Sequence, residues 1–158
     1  MTRGNEVIMN EGLRQNPEPE RKMKEQAVVM LKPGYIEHID KLKGYLEKKG
    51  LAIVAEKQVR FDEDTAKAFY PHAQRLMDER LGSEEGKVEM ERFIDYISSD
   101  DTIALLVKGE DAQHIVYRLR GKIREWFKLK QPNNAIHASS DQEAAEREAA
   151  VLGLKRAE

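Results

Sequence analysis

Apolar residues fall along this chain in two rhythms, short continuous runs and helical spacings, and these alternate from residue 26 onward. Gln26-Ala27-Val28-Val29-Met30-Leu31 is apolar throughout after its first residue, as expected of a central strand buried on both faces. It stops at Lys32-Pro33-Gly34, a chain-breaking sequence that carries a positive charge. Ile36, Ile39, Leu42 and Leu46 then recur at helical spacing, and Gly50 closes that helix. Residues 51–61 read as a second strand. Its alternation predicts Leu51, Ile53, Val59 and Phe61 on one face, with Lys57 and Arg60 where the strand reaches solvent.

Residues 62–77 read as a second helix with a stripe of Ala66, Phe69, Tyr70, Ala73, Leu76 and Met77. Residues 78–86 read as a polar, glycine-containing connection, followed by a short helix over 88–97 and a turn at Ser98-Ser99-Asp100-Asp101. Residues 102–107 predict a third strand. A helix from Asp111 places Ala112, Ile115, Val116, Leu119, Ile123 and Trp126 on one face and runs as far as Phe127. Gln131-Pro132-Asn133 ends that region, a short strand follows over 134–137, and a last helix spans 141–152. Ser140, three residues before Glu143, reads as a capping box for it. Strands separated by helices predict an α/β layer, an α+β sandwich of ferredoxin-like βαββαβ type with a four-stranded antiparallel sheet covered by helices.

The remainder of the chain adds little core. Residues 1–24 include the Pro-punctuated, polar Asn16-Pro17-Glu18-Pro19-Glu20 and read as a flexible arm; residues 25–158 read as one domain. Lys and Arg total 27 against 29 Asp and Glu, a net charge of −2, which gives no global basis for specific nucleic-acid binding. Cysteine is absent, which excludes disulfides and thiolate chemistry. No apolar run approaches the length of a membrane span, so the expectation is a cytoplasmic protein without a membrane partner.

The chemistry concentrates in Asn134-Ala135-Ile136-His137-Ala138-Ser139-Ser140. A histidine at a strand end is more often structural than reactive. A free imidazole is largely neutral near pH 7, however, and attacks as a nucleophile once a partner fixes its tautomer. Glu148 is placed to be that partner. It shares a helical stripe with Ala145 and Leu152, and the alanines at 144, 145 and 149 allow close approach to the sheet. Against this stands a solvated helix glutamate. Lys32 ends a central strand, the edge where α/β folds bind ligands, and its point charge suits a phosphate. Tyr70 is most simply a core residue, although a phenol at a pocket edge could bond a phosphate, and the Asn134 amide suits a sugar hydroxyl. Arg118, Arg120, Lys122, Arg124, Lys128 and Lys130 form a basic run just before the His137 strand.

Taken together these residues resemble the nucleoside diphosphate kinase family over roughly residues 26–152. The resemblance rests on the strand ending in Lys32-Pro33, the helix tyrosine Tyr70, the segment Phe93-Ile94-Asp95-Tyr96-Ile97-Ser98-Ser99, and the Asn-apolar-apolar-His-small-Ser segment running into Ala145-Glu146-Arg147-Glu148. It implies that His137 is phosphorylated, that Glu148 orients it and that Ser139 is the serine beside it. It further implies that Lys32 contacts phosphate, that Tyr70 is the active-site tyrosine and that Asn134 contacts sugar. Nucleoside di- and triphosphates are then the ligands, Mg²⁺ rides on their phosphates, and the chain is a homo-oligomer. The implied reaction moves a γ-phosphate from a nucleoside triphosphate to a diphosphate by a ping-pong route through His137. The chain departs from the family pattern at Gly34, where the family has aspartate, and at Tyr117, where an arginine is expected. A shorter, basic stretch over 122–132 replaces a long loop. Arg118, Arg124, Lys128 or Lys130 are the expected replacements for the missing contacts, with Arg118 and Arg124 placed among the nucleotide-binding residues. The alternative is a catalytically impaired, nucleotide-binding or regulatory module of the same fold.

Overall fold

The computed structural model describes residues 25–127 and 135–154; the arm over 1–24 lies outside them. Four strands, β1 (Gln26–Leu31), β2 (Ala52–Val59), β3 (Thr102–Lys108) and β4 (Ile136–Ala138), form one antiparallel sheet in the order β2-β3-β1-β4. A single 3-10 turn (Ile36–His38) precedes α1 (Ile39–Lys48). The remaining helices are α2 (Glu63–Phe69), α3 (Ala73–Leu81), α4 (Ser83–Ile97), α5 (Ala112–Phe127) and α6 (Gln142–Leu152). This is the ferredoxin-like βαββαβ arrangement, with α2, α3 and α4 added between β2 and β3 and α6 after β4. Among the described residues no helix is long and apolar enough to cross a membrane.

The central strand supplies both layers. Ala27, Val29 and Leu31 pack with Leu42 and Leu46 of α1 and Val116, Leu119 and Ile123 of α5. Val28 and Met30 pack with Phe69 of α2, Ile97 of α4 and Ala145, Ala149 and Leu152 of α6. These residues are almost fully excluded from solvent, which explains why the β1 run has no polar alternation.

The second strand departs from simple alternation. A bulge between Ile53 and Ala55 inserts one residue into its pairing with β3. One extra residue reverses every side chain beyond it. Leu51 and Ile53 therefore join the α1/α5 layer, whereas Val59 and Phe61 join the α2/α4/α6 layer, and the four do not share a face.

The helical stretch over 62–77 is broken in two. Asp62 caps α2 by accepting from the Thr65 N–H at 2.7 Å, and Tyr70 leaves the helical region (φ −119°, ψ 66°) because Pro71 follows it. The apolar spacing continues across the break, so periodicity alone does not register it. Residues 78–86 are mostly helical rather than a loop. Gly82, at φ +91°, makes the turn between α3 and α4, and Gly86 sits where a Cβ would lie 2.8 Å from the Asp78 backbone. The final helix is capped one residue later than the Ser140–Glu143 pattern suggests: Asp141 accepts from the Ala144 N–H at 2.8 Å.

The two cap candidates are separable by mutation. Asp141→Ala should lower stability by about 1 kcal/mol, and Ser140→Ala should stay within about 0.5 kcal/mol, read from urea unfolding midpoints at constant slope. Equal losses from both would return the cap to Ser140.

Candidate active site

The antiparallel pairing of β4 with β1 sets Met30 opposite His137, which turns the imidazole onto the α2/α4/α6 side of the sheet. The Lys32 N–H donates to the Ala135 carbonyl at 2.9 Å, so the exit of β1 is tied to the entry of β4. Lys32 and His137 thus emerge at one end of two paired strands. The other half of the pair comes from α6. Its alanines are buried against the sheet, and this close packing carries Glu148 inward until it is only 3% exposed. Glu148 Oε1 lies 2.9 Å from His137 Nε2. With an ionised carboxylate as its neighbour, Nε2 is the protonated nitrogen and donates, so Nδ1 keeps its lone pair. Arg147 approaches the other carboxylate oxygen at 3.7 Å.

Rings fix the imidazole laterally. Phe69 and Tyr70 stand edge-on to it with centroids 4.8 and 5.3 Å away. The Tyr70 hydroxyl is buried and has no hydrogen-bond partner among the described residues. Burial raises its pKa strongly, and the Glu148 charge and Tyr96 push the same way, so it remains a phenol able to donate. Phe93 lies 4.8 Å from Tyr70 and 6.0 Å from Lys32 Nζ, linking the two sides of the site. The Lys32 pKa falls from the ordinary 10.5 to about 8, chiefly through burial and further through the positive charge of Arg120.

Lys32, Tyr70, His137 and Glu148 therefore converge, and other expected site residues do not. The Ser139 hydroxyl accepts from the Val28 N–H at 3.0 Å and lies beside Gln113, and its own N–H donates to the Val28 carbonyl at 2.9 Å. These bonds extend the β4–β1 pairing. Arg118 lines a cleft of about 490 Å³ with Tyr45, Lys49 and Lys122, between α1 and α5 on the opposite face of the sheet. Arg120, named in the sequence only as part of the basic run, is the α5 arginine whose charge bears on Lys32. Its signal in the sequence was its position two residues beyond Arg118, on the other side of the same helix. Asn134 and the Arg124 side chain lie outside the described residues.

The sequence model described as nucleoside diphosphate kinase matches residues 25–155. The chain belongs to the nucleoside diphosphate kinase family. It is 35% identical to a nucleoside diphosphate kinase of Methanocaldococcus jannaschii over 138 residues, spanning 80% of this chain and 91% of that one. The fold is similar to the crystal structure of an NDP kinase from Pyrobaculum aerophilum, with a TM-score of 0.70 and 23% identity over 81% of this chain and 94% of that one. It is also similar to a halophilic nucleoside diphosphate kinase from Halobacterium salinarum in complex with CDP. There the TM-score is 0.68, with 27% identity over 85% of this chain and 93% of that one. Members of this family are nucleotide-binding phosphotransferases, and phosphotransfer between nucleotides is the activity class of this chain.

The low Lys32 pKa gives a signed pH test. Between about 8 and 10.5 the folded chain has released a proton that the unfolded chain still holds, so fold stability rises with pH while the site loses its cation. Affinity for a nucleoside triphosphate, measured by calorimetry, should fall as pH passes about 8, and Lys32→Met should be weaker below that step and flat across it. A wild-type affinity constant through that range would remove the Lys32 charge from anion binding.

Proposed function

We propose that this chain transfers the γ-phosphate of a nucleoside triphosphate to a nucleoside diphosphate through a phosphohistidine at His137. The observation that carries the reading is the buried 2.9 Å contact between His137 Nε2 and Glu148, which leaves Nδ1 as the free nitrogen. The Nδ1 lone pair attacks the γ-phosphorus. The bond from that phosphorus to the β,γ-bridging oxygen breaks, and the electrons leave on the diphosphate. Glu148 faces the imidazolium that forms and stabilises its charge. In the second half a terminal oxygen of the acceptor diphosphate attacks the same phosphorus, and the P–N bond breaks. Two half-reactions of this kind give ping-pong kinetics.

Such transfers are governed by positioning and charge neutralisation. Lys32 supplies a cation, Arg120 supplies a second, and the Tyr70 hydroxyl supplies a donor for a phosphate oxygen. Arg118 is not used. Asn134 keeps its proposed sugar contact on sequence grounds alone. Mg²⁺ carried by the nucleotide phosphates belongs to the same reading. That ion would neutralise charge on the transferred group. Self-association belongs to the same reading: β2 lies at the end of the sheet and offers an edge for pairing.

Incubation with γ-labelled ATP should put acid-labile, base-stable label on the wild type and none on His137→Ala, and a nucleoside diphosphate should discharge it. Glu148→Ala should slow labelling by about two orders of magnitude while leaving nucleotide affinity nearly unchanged. Absence of label on a folded wild-type protein that binds nucleotide would favour the impaired-module reading instead.

A further inference from the structure

The face of the sheet turned away from His137 carries a cavity of its own. It is the cleft of about 490 Å³ between α1 and α5 that Arg118 lines, within the size range of small-molecule sites. We infer that this cleft is a second anion site, separate from the catalytic centre, and that it takes a linear oligophosphate.

Three observations carry this. The first is the spacing of charge. His114, Arg118 and Lys122 follow one another at intervals of four residues on α5 and all line the cleft, so they form one row along the helix. At about 1.5 Å of rise per residue the row spans about 12 Å. Lys49, at the C-terminal end of α1, adds a cation from the other wall. A lone orthophosphate cannot reach along such a row, whereas linked phosphates set one charged group after another beside it.

The second is that these cations are not engaged by carboxylates. Among the described residues neither Arg118 nor Lys122 forms an ion pair, and the Lys49 ammonium stands over the Tyr45 ring at 5.5 Å. Lys67 and Arg75, by contrast, are each held by a glutamate one turn away. Glu125 is the one carboxylate in the lining, against the three permanent cations Lys49, Arg118 and Lys122. The positive potential of the cleft is therefore left for a multiply charged anion.

The third is open space on a fixed frame. Leu42 and Leu46 of α1 share one core with Val116, Leu119 and Ile123 of α5, and Tyr45 meets Trp126 edge-on at 5.5 Å. Gly121 stands in the cleft wall in the middle of α5, where glycine costs about 1 kcal/mol relative to alanine. A Cβ there would meet nothing within 4 Å. Packing of the fold does not call for this glycine, but the cavity does, because a side chain at 121 would fill it.

Calorimetric titration of tripolyphosphate into full-length Lys32→Met tests the inference, since that substitution removes the catalytic cation and leaves the cleft intact. A single saturable site per chain is expected, with orthophosphate bound at least about tenfold more weakly. Arg118→Ala and Lys122→Ala, each added to Lys32→Met, should weaken tripolyphosphate by about threefold to fivefold, as loss of an exposed charge contact does. Gly121→Met keeps every charge and fills the cavity. It should weaken binding at least as much as either alanine variant while the thermal midpoint holds or rises. ATP in place of tripolyphosphate separates the two sources of such a chain. ATP binding that Arg118→Ala weakens in the same proportion assigns the site to the phosphate tail of a nucleotide, and binding of tripolyphosphate alone assigns it to a free oligophosphate. No saturable binding to Lys32→Met, affinities within about twofold of the parent for both alanine variants, or Gly121→Met binding as tightly as its parent would overturn the inference.

Discussion

A carboxylate held away from water must be compensated, and in this fold the compensation is an imidazole. Glu148 is almost wholly buried, and an unpaired charge in that position would cost several kcal/mol. The His137 ring meets it at hydrogen-bond distance. Each group needs the other where it is. The glutamate fixes the tautomer, and the ring satisfies the glutamate. Much else serves this contact: the small alanines of α6 allow the approach, the Asp141 cap sets where the helix starts, and Ser139 locks β4 against the central strand.

The contact also explains why the two groups lie only eleven residues apart. Strand, turn and helix form one continuous unit, so the reacting nitrogen and its partner are positioned by local chain geometry. The groups that would hold substrate come from elsewhere, from the end of β1, from the break after α2 and from α5. Within α5 the sequence has Tyr117 in place of the expected arginine and the charge of Arg120 bears on Lys32, while the His137–Glu148 unit keeps its spacing.

What could be read in advance follows the same division. The apolar runs of β1 and β3, the stripes of α1 and α5, and the buried partner among the alanines of α6 were legible because burial on one face leaves a periodic trace. The bulge in β2 left no such trace, since an inserted residue changes face without changing composition. The break at Tyr70-Pro71 hid behind an apolar spacing that continues into α3. Arg118 and Arg120 are equivalent in the sequence. Only the rotation of α5 about its axis, set by Val116, Leu119 and Ile123 against the sheet, sends one to the far cleft and leaves the other near Lys32.

Lys32 has a consequence for the economy of the whole molecule. Lowering a lysine pKa from 10.5 to about 8 means that the protonated side chain is disfavoured in the folded state by a few kcal/mol at neutral pH. That is a sizeable part of the net stability of a domain this small. On the phosphotransfer reading, an anion seated beside the ammonium returns that free energy, so the ligand would act as part of the folded core, and the resistance of the chain to heat and proteolysis would follow the surrounding nucleotide concentration.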